Sequence, residues 1–193
     1  KDGSSKEINV LINVRHFGKK QKMGYGKGQY VVEDINEFFI TIKNMMDSSK
    51  DVKFNLYIKP HYYVNFSDFE EILNNFNINN YKFIKTSIYK ALVGMDIVIG
   101  LHTSVNLVSA LAGYPTLLYP QVLTDNIKKD DIKTGLMYEG MSGYSETIEE
   151  FILIFKKLLL NETRSNFSKK DSAFLRKFFD DGSINNLLSY VNK

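Results

Sequence analysis

Three histidines follow three short apolar runs of this sequence, and basic or hydroxyl side chains stand beside them. The full set is Arg15, His16, Lys59, His61, His102, Thr103 and Ser104. If the apolar runs are parallel strands, these residues follow carboxyl ends that gather at one edge of a sheet, where ligands of open α/β proteins bind. Cationic side chains, hydroxyls and a helix start favour an anion, most often a phosphate. We therefore predict a diphosphate site at this edge.

Residues 96–120 predict the strand-helix-strand unit that carries part of this set. Residues 97–100 form an apolar, β-branched run that is typical of a strand buried on both faces. Apolar residues then recur at helical spacing up to Gly113, a residue type that ends helices because it tolerates positive φ. Thr103 or Ser104 is placed to cap this helix, and its first N–H groups and dipole would attract an anion.

The remaining chain alternates predicted strands and helices. Strands are predicted at 8–14, 52–58, 81–85, 115–119 and, as a last edge strand, 135–140, and helices at 34–46, 67–76, 87–93, 147–160, 168–179 and 183–191. This pattern predicts an α/β fold: a Rossmann-like, doubly wound, mainly parallel sheet of about five or six strands flanked by helices, with C-terminal helices. The whole chain, 1–193, is expected to form this one Rossmann-like domain. Residues 17–30 are predicted to be a basic, solvated loop, with a phosphate lid as the alternative. Residues 121–134 are predicted to be an exposed loop that could close over a ligand.

Composition narrows the function classes. A net charge of +3 from 25 basic and 22 acidic residues is nearly balanced, so no nucleic-acid partner is predicted. The absence of cysteine excludes disulfides and thiolate metal sites. No apolar run reaches the roughly 18 residues of a membrane span, so we expect a cytoplasmic location, with the inner face of the membrane as the alternative. Because the chain opens with Lys1, we expect a fragment of a longer protein.

A zinc site of three histidines is the alternative use of His16, His61 and His102, since three nitrogens and a water make a catalytic zinc. The sequence contains no HxxxH pair, and the basic neighbours Arg15 and Lys59 would repel a cation. We therefore predict that the chain binds no metal and needs no cofactor.

Four segments carry a resemblance to a known family. They are Lys59-Pro60-His61, similar to a KPHP segment; residues 96–104, similar to a strand that opens with Asp and leads to Ser/Thr-Ser; residues 110–116, similar to EALxxGxP; and residues 174–183, similar to closing helices with a DG pair. Together they resemble the C-terminal, nucleotide-binding domain of GT-B glycosyltransferases that build bacterial surface polysaccharides such as capsules.

The resemblance implies that the chain holds a CMP-, CDP- or UDP-linked sugar by its diphosphate. His61 would be the catalytic residue that neutralises the departing phosphate, and Thr103 and Ser104 would contact it. Arg15, His16, Lys59 and His102 complete the expected donor-binding set. Ser109 stands where the family has a glutamate that binds the donor ribose, which leaves that contact unassigned.

The resemblance also implies a two-domain, metal-independent enzyme. Its N-terminal domain, which usually binds the acceptor and often carries the catalytic base, is not part of this chain. We therefore expect this chain to bind the donor but not to turn it over alone.

Other functions fit parts of the same pattern. Val14-Arg15 and Leu101-His102-Thr103 also resemble polysaccharide pyruvyltransferases, which would use phosphoenolpyruvate. A sugar-nucleotide epimerase is disfavoured because its acidic and glycine-rich signature is absent. A non-catalytic, Rossmann-like interaction domain is the third alternative, and it predicts no nucleotide affinity.

Overall fold

The computed structural model describes residues 6–14, 22–25, 28–31, 35–60, 66–100, 104–120, 140–179 and 182, with 22–25 and 28–31 described by their backbone. Its elements are β1 (Lys6–Val14), β2 (Lys22–Tyr25), β3 (Gly28–Val31), α1 (Ile35–Asp47), β4 (Val52–Pro60), α2 (Phe66–Asn75), β5 (Tyr81–Phe83), α3 (Ile88–Leu92), β6 (Ile97–Gly100), α4 (Ser104–Leu111), β7 (Thr116–Leu118), α5 (Ile148–Leu158) and α6 (Asn161–Leu175).

Five strands form one sheet in the order β5-β4-β1-β6-β7, and every neighbouring pair is parallel. The chain builds outward from β1 through β4 to β5, and then returns to place β6 and β7 on the other side of β1. The predicted α/β, Rossmann-like sheet with C-terminal helices is thus confirmed. The strand order reverses between β1 and β6, which is the topological switch point of such sheets.

Helices cover both faces of this sheet, because its strands are apolar on both sides. The larger core joins α1, α2 and α5 to one face, and includes Phe38, Phe39, Phe69, Phe151 and Phe155. On the other face, Ala91 and Leu92 of α3 pack against Leu11 and Val98. Burial of both faces explains why the strands read as continuous apolar runs instead of alternating ones.

Four strands differ in extent from the sequence prediction: β5 and β7 are shorter than predicted, at Tyr81–Phe83 and Thr116–Leu118, whereas β1 and β4 are longer. β1 begins at Lys6 instead of residue 8, and β4 continues to Pro60 instead of ending at residue 58. The reason is pairing between strands, since the parallel register of β1 and β4 runs without a break from Lys6↔Val52 to Val14↔Pro60. Lys59 therefore lies within a strand and not in the loop that follows it. Pro60 is tolerated because it is the last residue of β4.

The basic segment predicted as a loop at 17–30 is in part a β-hairpin. β2 and β3 pair antiparallel, from Lys22↔Val31 to Tyr25↔Gly28, with only residues 26 and 27 between them. A two-residue connection that begins with glycine is a hairpin signal, and the sequence prediction overlooked it. Residues 17–21 and the predicted closing loop 121–134 lie outside the described residues.

Of the two C-terminal helices in the described residues, one closely matches its predicted bounds and the other begins earlier than predicted. α5 agrees with prediction, and its cap is present, because the Thr147 hydroxyl accepts a hydrogen bond of 3.2 Å from the Glu150 N–H. α6 begins at Asn161, seven residues before the predicted start at 168. The sequence of α6 is only weakly amphipathic, so apolar periodicity does not indicate where this helix begins. The predicted strand at 135–140, apart from Gly140, and the helix at 183–191 lie outside the described residues.

The open edge of β7 is covered by residues 140–145. The Leu118 N–H donates to the Gly143 carbonyl at 2.8 Å, and the Ser145 hydroxyl donates to the Leu118 carbonyl at 2.6 Å. Asp171 of α6 holds this segment by accepting a 2.6 Å hydrogen bond from the Ser142 N–H. Burial raises the pKa of this carboxyl, and the Ser142 N–H opposes that rise.

Candidate functional site

The strands that precede the predicted site residues end side by side. Val14 of β1 pairs with Pro60 of β4, and Asn13 pairs with Gly100, the last residue of β6. The described residues thus bring together the three strand ends from which the predicted set continues along the chain. Within that set, Arg15, His16, His61, His102 and Thr103 lie outside the described residues, Ser104 is described by its backbone, and Lys59 is described in full.

Lys59, Asn13 and Gly100 form a row across the ends of β4, β1 and β6. They are register partners in parallel strands, so their side-chain positions lie on the same face of the sheet. This face is the one that α3 and α4 cover. The row lies at the switch point, where the strand order predicts a ligand crevice.

Asn106 holds the first turn of α4 over this row. The Asn13 side-chain amide donates a 3.0 Å hydrogen bond to Asn106 Oδ1, and only 5% of Asn13 and 0% of Asn106 are exposed. Gly100 makes room for the contact, because a Cβ at that position would lie 2.6 Å from Asn106 Nδ2. The N-terminal turn of α4 is therefore fixed against the ends of β1 and β6.

This arrangement is electrostatically suited to an anion. A helix N-terminus presents N–H groups and the positive end of the helix dipole. No group of the described residues donates a hydrogen bond to the buried Asn13 Oδ1 atom, which costs about 1–3 kcal/mol unless a donor from a ligand or water meets it.

Lys59 brings positive charge to the same edge. Its side chain is half-buried, and this burial lowers the pKa of the ammonium group. No carboxylate of the described residues forms an ion pair with it. A partly desolvated cation with no counter-charge among the described residues is a group that an anionic ligand would stabilise.

Sequence reasoning missed Asn13, Gly100 and Asn106. A signal for the two asparagines was present, because each is a polar residue at a position where the surrounding pattern is apolar. Nothing in the sequence showed that residues 93 positions apart form a pair. The role of Gly100 depends on that pair, so it could not be predicted from the sequence either.

Two motif residues have structural roles instead of ligand contacts. Asp96, the first residue of the motif strand, lies at the opposite edge of the sheet, where its Oδ2 accepts from the Asn9 N–H at 2.9 Å and its Oδ1 lies 3.5 Å from Arg164. Ser109 is fully buried and donates to the Val105 carbonyl at 2.9 Å, so it faces the protein interior.

Comparison with known proteins finds the fold but no family. No protein-family model matches the chain, and no curated sequence matches it. Among solved structures, it is similar to TarM of S. aureus at 13% identity and a TM-score of 0.58, over 95% of this chain and 35% of TarM. It is similar to UDP-GlcNAc 2-epimerase of Neisseria meningitidis at 11% identity and a TM-score of 0.55, over 98% of this chain and 45% of the epimerase.

MurG of Acinetobacter baumannii is a third similar structure, at 11% identity and a TM-score of 0.54, over 99% of this chain and 51% of MurG. At these identities the likeness shows a shared fold, the Rossmann-like α/β fold of GT-B proteins. The chain spans between about a third and a half of the length of these proteins. Among the described residues, no helix has the length and apolar character that crossing a membrane requires.

Proposed function

We propose that this chain is the donor-binding part of a metal-independent GT-B glycosyltransferase. The enzyme would move a sugar from a nucleotide-linked donor to a surface polysaccharide or glycan acceptor, in the cytoplasm or at the inner face of the membrane. The proposal rests on the switch point between β1 and β6, where the first turn of α4 and the half-buried ammonium of Lys59 lie at the same edge of the sheet.

The donor would be a CMP-, CDP- or UDP-linked sugar, and the fold likeness favours UDP. TarM was solved in complex with UDP, and the Neisseria meningitidis epimerase was solved with UDP-GlcNAc. Both proteins share this fold, and the diphosphate of such a donor matches the charge of the site. An N-terminal domain outside this chain would bind the acceptor and supply the catalytic base.

The proposed roles follow from the positions of the residues along the chain. Lys59 would bind the diphosphate at the end of β4, and Arg15 and His16 would reach it from the end of β1. His102, Thr103 and Ser104 would bind it at the start of α4. His61 would neutralise the departing phosphate. Protein cations and the helix dipole would thus replace a metal ion.

Calorimetry with UDP, CDP, CMP and phosphoenolpyruvate tests this proposal. We expect UDP to bind in the micromolar-to-millimolar range, and the Arg15→Ala and His61→Ala variants to lose about tenfold or more in affinity, because a charge-assisted hydrogen bond is worth roughly 1.5–3 kcal/mol. Unchanged affinity in both variants would remove the site assignment. Binding of phosphoenolpyruvate without any nucleotide would favour a pyruvyltransferase, and no binding at all would favour an interaction domain.

A nucleotide-sugar epimerase is the second candidate, because the Neisseria meningitidis epimerase shares this fold. The two functions differ in what they require. An epimerase would convert UDP-GlcNAc by itself, whereas a transferase would consume the donor only when an acceptor is present. Proton NMR of UDP-GlcNAc mixed with the full-length protein, with and without a glycan acceptor, separates the two.

A further inference from the structure

A second basic surface lies on α6. It borders a cleft of about 390 Å³ that is lined by Gly113, Ser168, Lys169, Ser172, Ala173 and Arg176. We call this the α6 cleft. Its volume falls within the range of small-ligand sites, about 300–1,000 Å³.

The α6 cleft lies at the opposite edge of the sheet from the candidate donor site. α4 starts over the carboxyl ends of β1 and β6 and ends at Leu111, and Gly113 follows it just before β7 begins. Eight helical residues rise by about 12 Å. One phosphate group therefore cannot contact both sites.

Within the described residues 165–179, no exposed carboxylate offsets the positive charge of the α6 cleft. Lys169 and Arg176 are exposed, and each is followed by another exposed lysine, Lys170 and Lys177. Asp171 is the sole carboxylate in the sequence from 165 to 179, and it is 0% exposed and bound to the Ser142 N–H. Its burial means that the charged side chains exposed within residues 165–179 are all basic.

Small residues keep the α6 cleft open between these cations. Ala173 projects only a methyl group, and Gly113, at φ +85°, has no atom within 4 Å of the position that a Cβ would take. The Ser172 hydroxyl donates to the Leu111 carbonyl at 3.2 Å, which attaches α6 to the end of α4 and sets the width of the cleft. Ser168, Ser172 and Arg176 follow one another at intervals of four along the helix, so they form one line of polar groups.

We propose that the α6 cleft binds a phosphate-bearing ligand at a site separate from the donor site. The Arg176 guanidinium can bind two phosphate oxygens at once, and Lys169 adds a second point charge. Ser168 and Ser172 line the space between them. The ligand would be a soluble phosphate ester or the headgroup of an anionic phospholipid, which share this chemistry.

Amide NMR during titration with glycerol 3-phosphate tests whether the α6 cleft binds a soluble phosphate ester. We expect saturable shifts of the Gly113 and Ser172 amides, and a loss of about tenfold or more in affinity for Lys169→Gln/Arg176→Gln, because two charge-assisted contacts are removed. Lys156→Gln/Lys157→Gln, with the same change in charge at the end of α5, should bind as the parent does. Ala173→Leu, which fills the cleft without changing charge, should also abolish the shifts.

Vesicle sedimentation distinguishes the source of the phosphate. Binding to vesicles that contain phosphatidylglycerol but not to phosphatidylcholine alone, lost in Lys169→Gln/Arg176→Gln, would identify a lipid headgroup. Shifts with glycerol 3-phosphate and no vesicle binding would identify a soluble ester. The proposal is overturned if neither probe binds, or if the two double variants bind equally. UDP binding reports on the donor site and should be unchanged in Lys169→Gln/Arg176→Gln. Failure of the donor-site proposal and failure of this one are therefore measured with different ligands.

Discussion

Replacing Gly100 by alanine tests whether the pair of buried asparagines positions α4 at the switch point. The new Cβ would lie 2.6 Å from Asn106 Nδ2, 2.8 Å from its Oδ1 and 3.0 Å from the Asn13 carbonyl oxygen. Asn106 is 0% exposed and is already bound to Asn13, so its amide has no open space to enter. Either the amide leaves its partner or the first turn of α4 moves away from the sheet.

The expected cost combines two effects. Overpacking a well-filled interior costs about 1–3 kcal/mol, and a buried polar group that loses its partner adds about 1–3 kcal/mol. We therefore expect Gly100→Ala to lower the free energy of unfolding by about 2–6 kcal/mol, out of a total of about 5–15 kcal/mol. Displacement of α4 should also weaken UDP binding at temperatures where the variant is folded.

Urea denaturation followed by circular dichroism measures the stability, and calorimetry measures the affinity. Gly94→Ala is the matched control, because its φ of +78° makes alanine strained but a Cβ there would meet nothing within 4 Å. It should cost only about 1–2 kcal/mol and leave UDP binding unchanged.

A double variant isolates the contact. In Asn106→Ala the space beside Gly100 is already empty, so adding Gly100→Ala should cost much less than it does in the parent. Additive losses in this cycle would refute the reasoning. So would a Gly100→Ala protein within about 0.5 kcal/mol of the parent, since that is the range of ordinary surface substitutions.

Three further predictions concern separate parts of the chain. Lys59→Met should keep or raise stability, because burial disfavours the charged ammonium and lowers its pKa, but it should weaken UDP binding about tenfold, because a charge-assisted contact is lost. Lys53→Met, at the other end of β4, should leave binding unchanged, and equal losses in the two variants would contradict this. Gly143→Ala should destabilise severely in denaturation, because a Cβ would overlap the backbone carbonyl of Thr116; a near-parental midpoint would count against it. Burial raises the pKa of Asp171 in the folded state, so proton binding by this carboxyl favours folding. This contribution to the free energy of unfolding is full at pH values below the unfolded pKa, and it is lost as the pH rises through the folded pKa. Asp171→Asn should therefore flatten the fall in stability above about pH 4, as measured by denaturation at a series of pH values; an unchanged slope would exclude this cause.

The fold could be predicted because its signals are local. The apolar run of β6 is buried at all four positions, and the Thr147 cap starts α5 where the sequence places it. Gly113 ends α4 with a φ of +85°, as the prediction of a helix end requires. The hairpin of β2 and β3 was equally local, and its glycine signal was overlooked.

The candidate site was predicted only as a list of residues that follow strand ends. Its roles for Arg15, His61 and Thr103 stay predictions, and Lys59 proved to belong to a strand. The early start of α6 was missed because helix propensity is weak there and packing against α4 and α5 sets its length.

The sequence by itself determined which segments are strands and helices, because apolar periodicity, caps and helix-ending glycines act over a few residues. The tertiary structure alone decided that β1 lies between β4 and β6, and therefore that Lys59, Asn13 and Gly100 form one row. It also decided that Asn106 meets Asn13 and that Asp171 is buried. Contacts between residues distant in the chain depend on how whole elements pack, and no local pattern encodes that packing.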